Sequence, residues 1–470
     1  MNSVAVIGGG ITGLTAAFRL SRQNIPVTLY EAGDRVGGPI KTINENGYLS
    51  EYGPNTILET SPKIISLISD LGLEPRLLAS NPAMNKNFIV HQGRLTQLPM
   101  SPGLFARSPL FSASAKLRLA CEPFIRTQPA TEDESLADFV LRRLGREFLD
   151  RAINPFVTGV YAGTPENLSV RYAFPKLKAL EDKYGSILMG AVLGARERKK
   201  RPEKERTKAR KLSFDEGLQI LPDTLRAKLG NAIELRSEVT HLRPIAEGWE
   251  VTVIANGREE QRSHSAVILA GNAYKIAQIR MEGDDPTPFA LLKEMVHPPV
   301  ARITMGFRRE DVTDPLDGFG FLVPKLENLN ILGTTFSSSI FANRAPAGHV
   351  LLTTFIGGCR QPELATQPAE KLFDLTLRDS RKILGVRGRP TYQHHVLFPW
   401  AIPQYNVGHK KFVDLMNGAE ARHPGLYFAG SYRDGISVGN CIVSGHDIAD
   451  RIAQFLAQPN RSPQLQAMTS

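Results

Sequence analysis

The chain has 470 residues, enough for more than one hydrophobic core, and its 42% hydrophobic and 22% charged residues exclude a disordered chain. No apolar run approaches the ~18 residues of a membrane-crossing helix, and Cys121, Cys359 and Cys441 are too few and scattered for a disulfide framework or metal cluster, which points to a reducing compartment. The net charge of +10 admits nucleic acid, anionic lipid or an anionic small molecule as partner. Part of that charge lies in residues 196–211, a run with almost nothing apolar that reads as a solvated loop or, alternatively, as a contact for acidic headgroups.

In chain order, Ser3 to Ile7 forms a β-rich run with no leader before it, and it enters Gly8, Gly9, Gly10, Ile11, Thr12 and Gly13. Leu14, Ala17, Phe18 and Leu20 follow at helical spacing. Strand, tight turn and helix with glycines at 8, 10 and 13 make a pyrophosphate site: the glycines allow the turn, the close backbone approach and the helix packing. Residues 27–31 read as the next parallel strand, and Glu31, 18 residues after Gly13, stands where a carboxylate accepts from ribose hydroxyls and repels a 2′-phosphate. NADP is thereby disfavoured, while NAD and FAD both remain. Arg35, Gly37 and Gly38 then follow in the order E-x-x-x-R-x-G-G. This extension resembles a flavoprotein family that includes amine oxidases, phytoene desaturases and protoporphyrinogen oxidases. The resemblance implies non-covalent FAD, with Gly9, Ile11, Thr12 and Ala32 in its cradle, Arg35 over the pyrophosphate, and Gly37 and Gly38 beside the flavin.

Further along, Leu98 to Phe111 is apolar, interrupted by prolines and followed by Lys116 and Arg118, so it reads either as a membrane-interface segment or as a loop packed on its own core. Residues 234–242 precede an alternating strand over 249–255, and Asn256-Gly257 supplies a hairpin turn. The continuous apolar run 266–271 reads as a buried parallel strand. Candidate strands follow over 301–307, 319–323 and 350–355. His394 and His395 fall in a strand-like run whose alternation separates their rings, which favours structural histidines over a base or metal pair. Residues 426–430 read as a last strand, and a helix from about Gly439 presents Ile442, Gly445, Ala449, Ile452 and Leu456 on one face. Its N-terminus is suited to the negative charge of a reduced flavin.

Several stretches resemble the protoporphyrinogen oxidases within that family: Gly53-Pro54-Asn55-Thr56, residues 154–163, 318–324, 332–338 and 401–405. The implied fold is α/β: a split Rossmann-like FAD-binding domain (1–85, 205–275, 421–470), a helical, membrane-associated insertion (86–204) and a mixed-sheet substrate domain (276–420). Implied flavin contacts are Asn55, Val239 at the adenine end, Gly430, Ile436, Ser437 and Val438. Implied substrate contacts are Gly163, Leu322 and Phe355, with Thr335 where the family has leucine. The family's propionate-binding arginine corresponds to Asn87, and Lys86 is the nearest replacement. Phe398 stands at the place of a flavin-side tryptophan; Trp400, two residues on, is either its displaced equivalent or a core aromatic. The implied reaction is oxidation of protoporphyrinogen by dioxygen, with the flavin as reacting centre and no acid–base side chain or metal. Coproporphyrinogen III oxidation and amine oxidation are the rival activities; a surface-binding protein with a degenerate flavin site is the rival from another class. Implied partners are a porphyrinogen, dioxygen, the inner face of the cell membrane seen from the cytoplasm, a second copy in a homodimer, and a chelatase receiving the product. Nucleic acid is not among them.

Overall fold

A five-stranded parallel sheet forms the base of the computed structural model, which describes residues 3–127, 133–199, 209–282 and 289–458. Most of the basic run 196–211 lies outside the described residues. The strand order is Ile233–Leu235, Val27–Glu31, Val4–Ile7, Ala266–Leu269 and Leu426–Phe428, so pieces from three parts of the chain share one sheet. Val4–Ile7 and Ala266–Leu269 are buried at every position, the reason both read as unbroken apolar runs. Helices Ile11–Arg22, Ile220–Leu229 and Val438–Ala457 cover one face through a core that includes Leu14, Ala17, Leu225, Ile442 and Ile452.

An antiparallel meander, Ser237–Ile245, Gly248–Ala255 and Arg258–His264, covers the other face, packing Trp249, Val251 and Val253 against Val267 and Leu269. Asn256 and Gly257 have φ of +49° and +79°, the pair of left-handed residues a two-residue hairpin needs. Residues 234–242 divide between two sheets. Arg236, at φ +54°, ends the strand paired with Val27–Glu31 and re-aims the chain into the meander.

The second large sheet is mixed and has seven strands: Tyr392–Phe398, Val300–Arg308, His349–Gly357, Ile331–Phe336, Gly320–Leu322, Asn87–His91 and Arg94–Gln97. Residues 87–97 therefore correct the helical expectation for 86–204 at its start. Gln92 and Gly93, both with positive φ, turn a hairpin whose Phe88 and Val90 pack into the core of this sheet. That core lies on one face, where Ala301, Ile303, Met305, Phe321 and Leu352 meet helix Ala369–Leu384. The opposite face carries a different set. Register places Arg302, Phe355, Gly333 and Leu322 in one row across the strands, and Thr304, Thr353, Thr335, Gly320 and Asn87 in the next.

Between these sheets' segments lie helices including Leu136–Arg143, Asn154–Tyr161, Pro175–Tyr184 and Ile187–Lys199. Leu110 and Phe111 are buried in a small core beneath them, so the end of the 98–111 segment packs on the protein itself, whereas Met100 and Leu104 are exposed. A buried ionic cluster joins the helices. Arg143 donates from Nε to Glu181 at 2.8 Å and from Nη1 to Glu122 at 3.2 Å, while Lys178 and Arg142 each reach Glu181 at 2.7 Å. Burial works to raise the Glu181 carboxyl, but the bonds from Arg142, Lys178 and Arg143 outweigh it and hold it at about 2. A carboxyl depressed in the folded state stabilises fully above its ordinary value of 4.5, and that contribution falls away as pH drops toward 2. Glu181→Gln leaves a buried guanidinium and ammonium undercompensated and should cost about 3–5 kcal/mol at neutral pH. Denaturant unfolding checks this, and the difference between variant and parent should shrink below pH 4; an unchanged midpoint at neutral pH would refute it.

Candidate active site

The strand Val4–Ile7 ends in a turn that only glycine can make. Gly8 has φ +113°, and a Cβ there would stand 2.8 Å from the Gly271 nitrogen; one on Gly13 would stand 2.0 Å from the Gly8 carbonyl oxygen. At Gly10 a Cβ would meet nothing within 4 Å, so the backbone borders open space. Helix Ile11–Arg22 begins there with no side-chain cap, leaving its first N–H groups and positive end for an anion. Thr12 lies in this first turn, where a Cβ on Gly445 would come 2.4 Å from its carbonyl oxygen and one on Gly430 3.6 Å from its hydroxyl. The C-terminal helix thus crosses the first helix in backbone contact.

Glu31 accepts from the N–H groups of Gly9 and Gly33, both at 2.7 Å, which fixes its carboxylate beside the glycine turn, with Ala32 exposed next to it. The Arg236 N–H donates to the Gly33 carbonyl at 2.9 Å and brings Val239, followed by a bulge in its strand, toward the same end. Arg35 donates to the carbonyls of Val36, Gly38 and Ile40 and shapes a loop whose Gly37 N–H reaches the Gly9 carbonyl at 2.8 Å. A Cβ on Gly53 would lie 2.3 Å from the Pro39 oxygen, so Gly53, Pro54, Asn55 and Thr56 rest directly on that loop. Ser437 caps helix Val438–Ala457, its Oγ accepting from the Asn440 N–H at 3.1 Å, and Ile436 packs at the edge of the helical core.

The inner face of the seven-stranded sheet adjoins this cradle. Leu322 and Phe355 share a row, separated by Gly333, and helix Asn154–Tyr161 presses on Leu322: a Cβ on Gly159 would stand 2.3 Å from Leu322 Cδ2. That helix ends at Ala162 in the left-handed conformation, and the Cys359 N–H donates to the Ala162 carbonyl at 2.7 Å. Gly163 is thereby carried to the end of the Phe355 strand. A Cβ on it would stand 2.2 Å from Gln404 Oε1. Gln404 is buried and donates to the Tyr161 carbonyl at 2.8 Å, a contact that links the 401–405 segment to Gly163 and that sequence reading missed.

Thr335 and Asn87 stand in the adjacent row, but Lys86 pairs with Asp317 at 2.5 Å, so its charge is already engaged. His394 and His395 oppose Thr304 and Ile303 on opposite faces, and burial pushes both imidazoles below their usual range. The Phe398 ring meets Tyr52 edge-on at 5.3 Å. Trp400 corrects the reading of a core aromatic: it is 60% exposed and leans on Tyr274 at 5.2 Å.

A helix N-terminus free for a pyrophosphate, a carboxylate fixed for a ribose and a third chain segment closing over both are the requirements of an FAD cradle. A family model described as flavin containing amine oxidoreductase matches residues 11–453. The chain belongs to this family. Within it, protoporphyrinogen oxidase 2, chloroplastic/mitochondrial, of Arabidopsis thaliana is 33% identical, the match covering 96% of this chain and 94% of that protein. Coproporphyrinogen III oxidase of Bacillus subtilis is 28% identical over 94% of this chain and 96% of its own length. A crystal structure from Exiguobacterium sp. 255-15, assigned as a protoporphyrinogen oxidase, has a TM-score of 0.80 at 26% identity and covers 97% of this chain and 99% of its own.

The chain falls in the protoporphyrinogen oxidase branch of the flavin amine oxidases and is an FAD-dependent oxidoreductase. In such an enzyme Gly13 has no tolerated replacement. Gly13→Ala must move the Gly8 carbonyl and the helix start with it, and the expected product is a folded but colourless protein with FAD affinity at least 100-fold weaker, on the order of 3 kcal/mol. Flavin absorbance of the purified variant and a fluorescence titration measure this, and stoichiometric FAD in the variant would sink the assignment of the turn.

Proposed function

We propose that this enzyme oxidises protoporphyrinogen IX to protoporphyrin IX with dioxygen. Three electron pairs leave the macrocycle with their protons, and three dioxygen molecules become hydrogen peroxide. The observation that carries the reading is the row of Leu322, Gly333 and Phe355 on the sheet face beside the cradle, with Gly163 brought to its end. Bound FAD would accept each electron pair and pass it to dioxygen. The chain's own residues bind and orient. Leu322 and Phe355 offer apolar walls to a flat ring, and Gly163, whose missing Cβ makes room for the Gln404 side chain, brings its backbone to the end of that row. Asn87 and Thr335 give neutral polar contacts, and no side chain is required as acid or base.

The same slot would serve coproporphyrinogen III, the second reading, which the Bacillus subtilis relative supports. Protoporphyrinogen is favoured by charge: coproporphyrinogen brings four propionates rather than two, yet Asn87 is neutral and Lys86 is spent on Asp317. Amine oxidation rests on a cyclohexylamine oxidase structure at 19% identity, a likeness of fold alone. Anaerobic mixing with each porphyrinogen tests the choice. The yellow chromophore is expected to bleach within the turnover time with protoporphyrinogen and at least tenfold more slowly with coproporphyrinogen, while no bleaching with either would end the proposal. Asn87→Arg should lower KM for protoporphyrinogen about tenfold, since a charge-assisted bond replaces a neutral one; a raised KM would take Asn87 out of the substrate site.

The helical insertion is proposed to rest on a membrane surface. None of the described helices is long and apolar enough to cross a bilayer. Met100, Leu117 and Phe124 are 71%, 67% and 89% exposed, and Lys116 donates to the Ala106 and Ser108 carbonyls, which holds helix Ala113–Ala120 against the end of the 98–111 segment. Leu117→Glu combined with Phe124→Glu should abolish sedimentation with phosphatidylglycerol vesicles while turnover in detergent persists. Undiminished vesicle binding by the variant would refute this contact.

A further inference from the structure

Where the cradle meets the substrate sheet lies a guanidinium for which the proposed reaction has no use. Arg302 projects from strand Val300–Arg308 on the same face as Phe355 and Leu322 and is 2% exposed. Among the described residues, its Nε and Nη1 have no hydrogen-bond partner. An unpaired charged donor in the interior is costly, and it persists in a fold only where something compensates it.

The neighbouring protein groups do not supply that compensation. Glu51 is the carboxylate near enough to act on Arg302, and its oxygens already accept from the Thr42 hydroxyl at 2.8 Å and the Leu218 N–H at 2.9 Å. A second guanidinium, Arg344, acts on the same carboxylate and donates to Ser213 and Phe214. Arg344 also feels Asp215, but that carboxylate pairs with Arg76, so Glu51, shared between two guanidiniums, leaves the Arg302 charge incompletely matched. Burial pushes the Arg302 guanidinium down to about 10, offset in part by Glu51 and Tyr392, so it stays charged at neutral pH.

A carboxylate from the substrate does not fit the cavity beside it. That cavity, walled by Ser50, Glu51, Asn55, Thr56, Thr335 and Ser337, has a volume of about 10 Å³, room for one water. Its far wall is the 53–56 turn, which rests on the cofactor loop through Gly53 and Pro39. Val300, two residues before Arg302, pairs with Phe398, whose ring packs on Tyr52 just ahead of the turn. The unmatched charge therefore stands behind the 53–56 turn, whose Asn55 the family resemblance assigns to the flavin.

We propose that Arg302 is a positioning residue for electron transfer: its unpaired guanidinium, held behind Asn55 and Thr335, favours the negative charge that the flavin ring system carries once reduced, and so raises the cofactor's reduction potential. Two electrons and one proton added to the neutral oxidised ring leave one negative charge, and the guanidinium keeps its own protons throughout. The fixed cation acts through the low-dielectric interior, where a preoriented charge is worth more than in water. The inference rests on the reading of the cradle as the FAD site and is independent of which porphyrinogen is oxidised.

The test uses the FAD-loaded enzyme without porphyrinogen. Arg302→Met keeps the bulk and removes the charge, whereas Arg302→Lys retains it. Equilibrated anaerobically with a dye of known potential, the Met variant should show a reduced-to-oxidised flavin ratio at least tenfold lower than the parent. For a two-electron couple this is about 30 mV. Sulfite, which forms an anionic adduct with the oxidised ring, should bind the Met variant at least tenfold more weakly, and the Lys variant should stay within about threefold of the parent in both measurements. An unchanged flavin ratio in FAD-loaded Arg302→Met overturns the proposal. So does a change confined to the KM for porphyrinogen, which would reassign the guanidinium to a substrate carboxylate. Loss of FAD from both variants would leave Arg302 a purely structural role and overturn it equally.

Discussion

The architecture depends on backbone approaching backbone where no Cβ exists. Gly13 lies against the Gly8 carbonyl, Gly8 against Gly271, and Gly445 against the Thr12 carbonyl. These contacts join the first strand-turn-helix to the returning strand and to the last helix, so both helix N-termini, at Ile11 and Val438, lie at one end of the parallel sheet. Two uncapped or singly capped helix ends in one place give a concentrated positive potential without any lysine or arginine. The rest of the site is positioned from there, through the 37–40 loop on the glycine turn and the 53–56 turn on that loop.

The seven-stranded sheet then separates two tasks by the alternation of its strands. Odd-numbered positions of Val300–Arg308 build the core against helix Ala369–Leu384, while Arg302 and Thr304 look toward the cradle. Because a one-residue slip would exchange the two sets, burial of Ile303 and Met305 holds Arg302 where it is. Packing on one face thus fixes chemistry on the other. The helical insertion adds a third wall by laying Gly159 on Leu322 and Gly163 beside Gln404, and the ionic cluster around Glu181 ties its helices together.

What the sequence made legible was local. Glycine spacing, the Asn256-Gly257 hairpin and the apolar run 266–271 each carry their signal within a few residues: the turn and the hairpin are in the fold, the strand occupies 266–269 of that run, and Glu31 is held beside the glycine turn. The edge hairpin over 87–97 reads with the helices in the sequence because its partner, Gly320–Leu322, lies far along the chain and is too short to announce itself. Ile57–Leu58, Leu77–Ala79 and Lys211–Phe214 form a small sheet for which the same holds. Gln404 sat in a segment singled out only by resemblance, and its contact with Gly163 depends on two distant loops meeting. Lys86 illustrates the converse. Proximity in sequence to Asn87 suggested a substitute charge, and only the fold brings Asp317 to consume it.

Arginine usage differs between the two halves of the molecule in a way that fits a redox site. In the helical insertion the fully buried Arg143 meets Glu181 and Glu122 and is neutralised within the protein. Among the described residues beside the cradle and slot, Arg302 has unpaired donors, while Arg360 has neutral acceptors, Asn154, Thr158 and the Val323 carbonyl. Burial pushes both of these guanidiniums down to about 10. Cations left short of carboxylates destabilise the empty protein, and an anion bound to the native state alone stabilises it by mass action. FAD would bring a pyrophosphate permanently and further negative charge on reduction, so on the proposed role of Arg302, whose neighbouring carboxylate Glu51 is shared with Arg344, part of the stability lost to buried cations is returned by the cofactor and depends on its electron count.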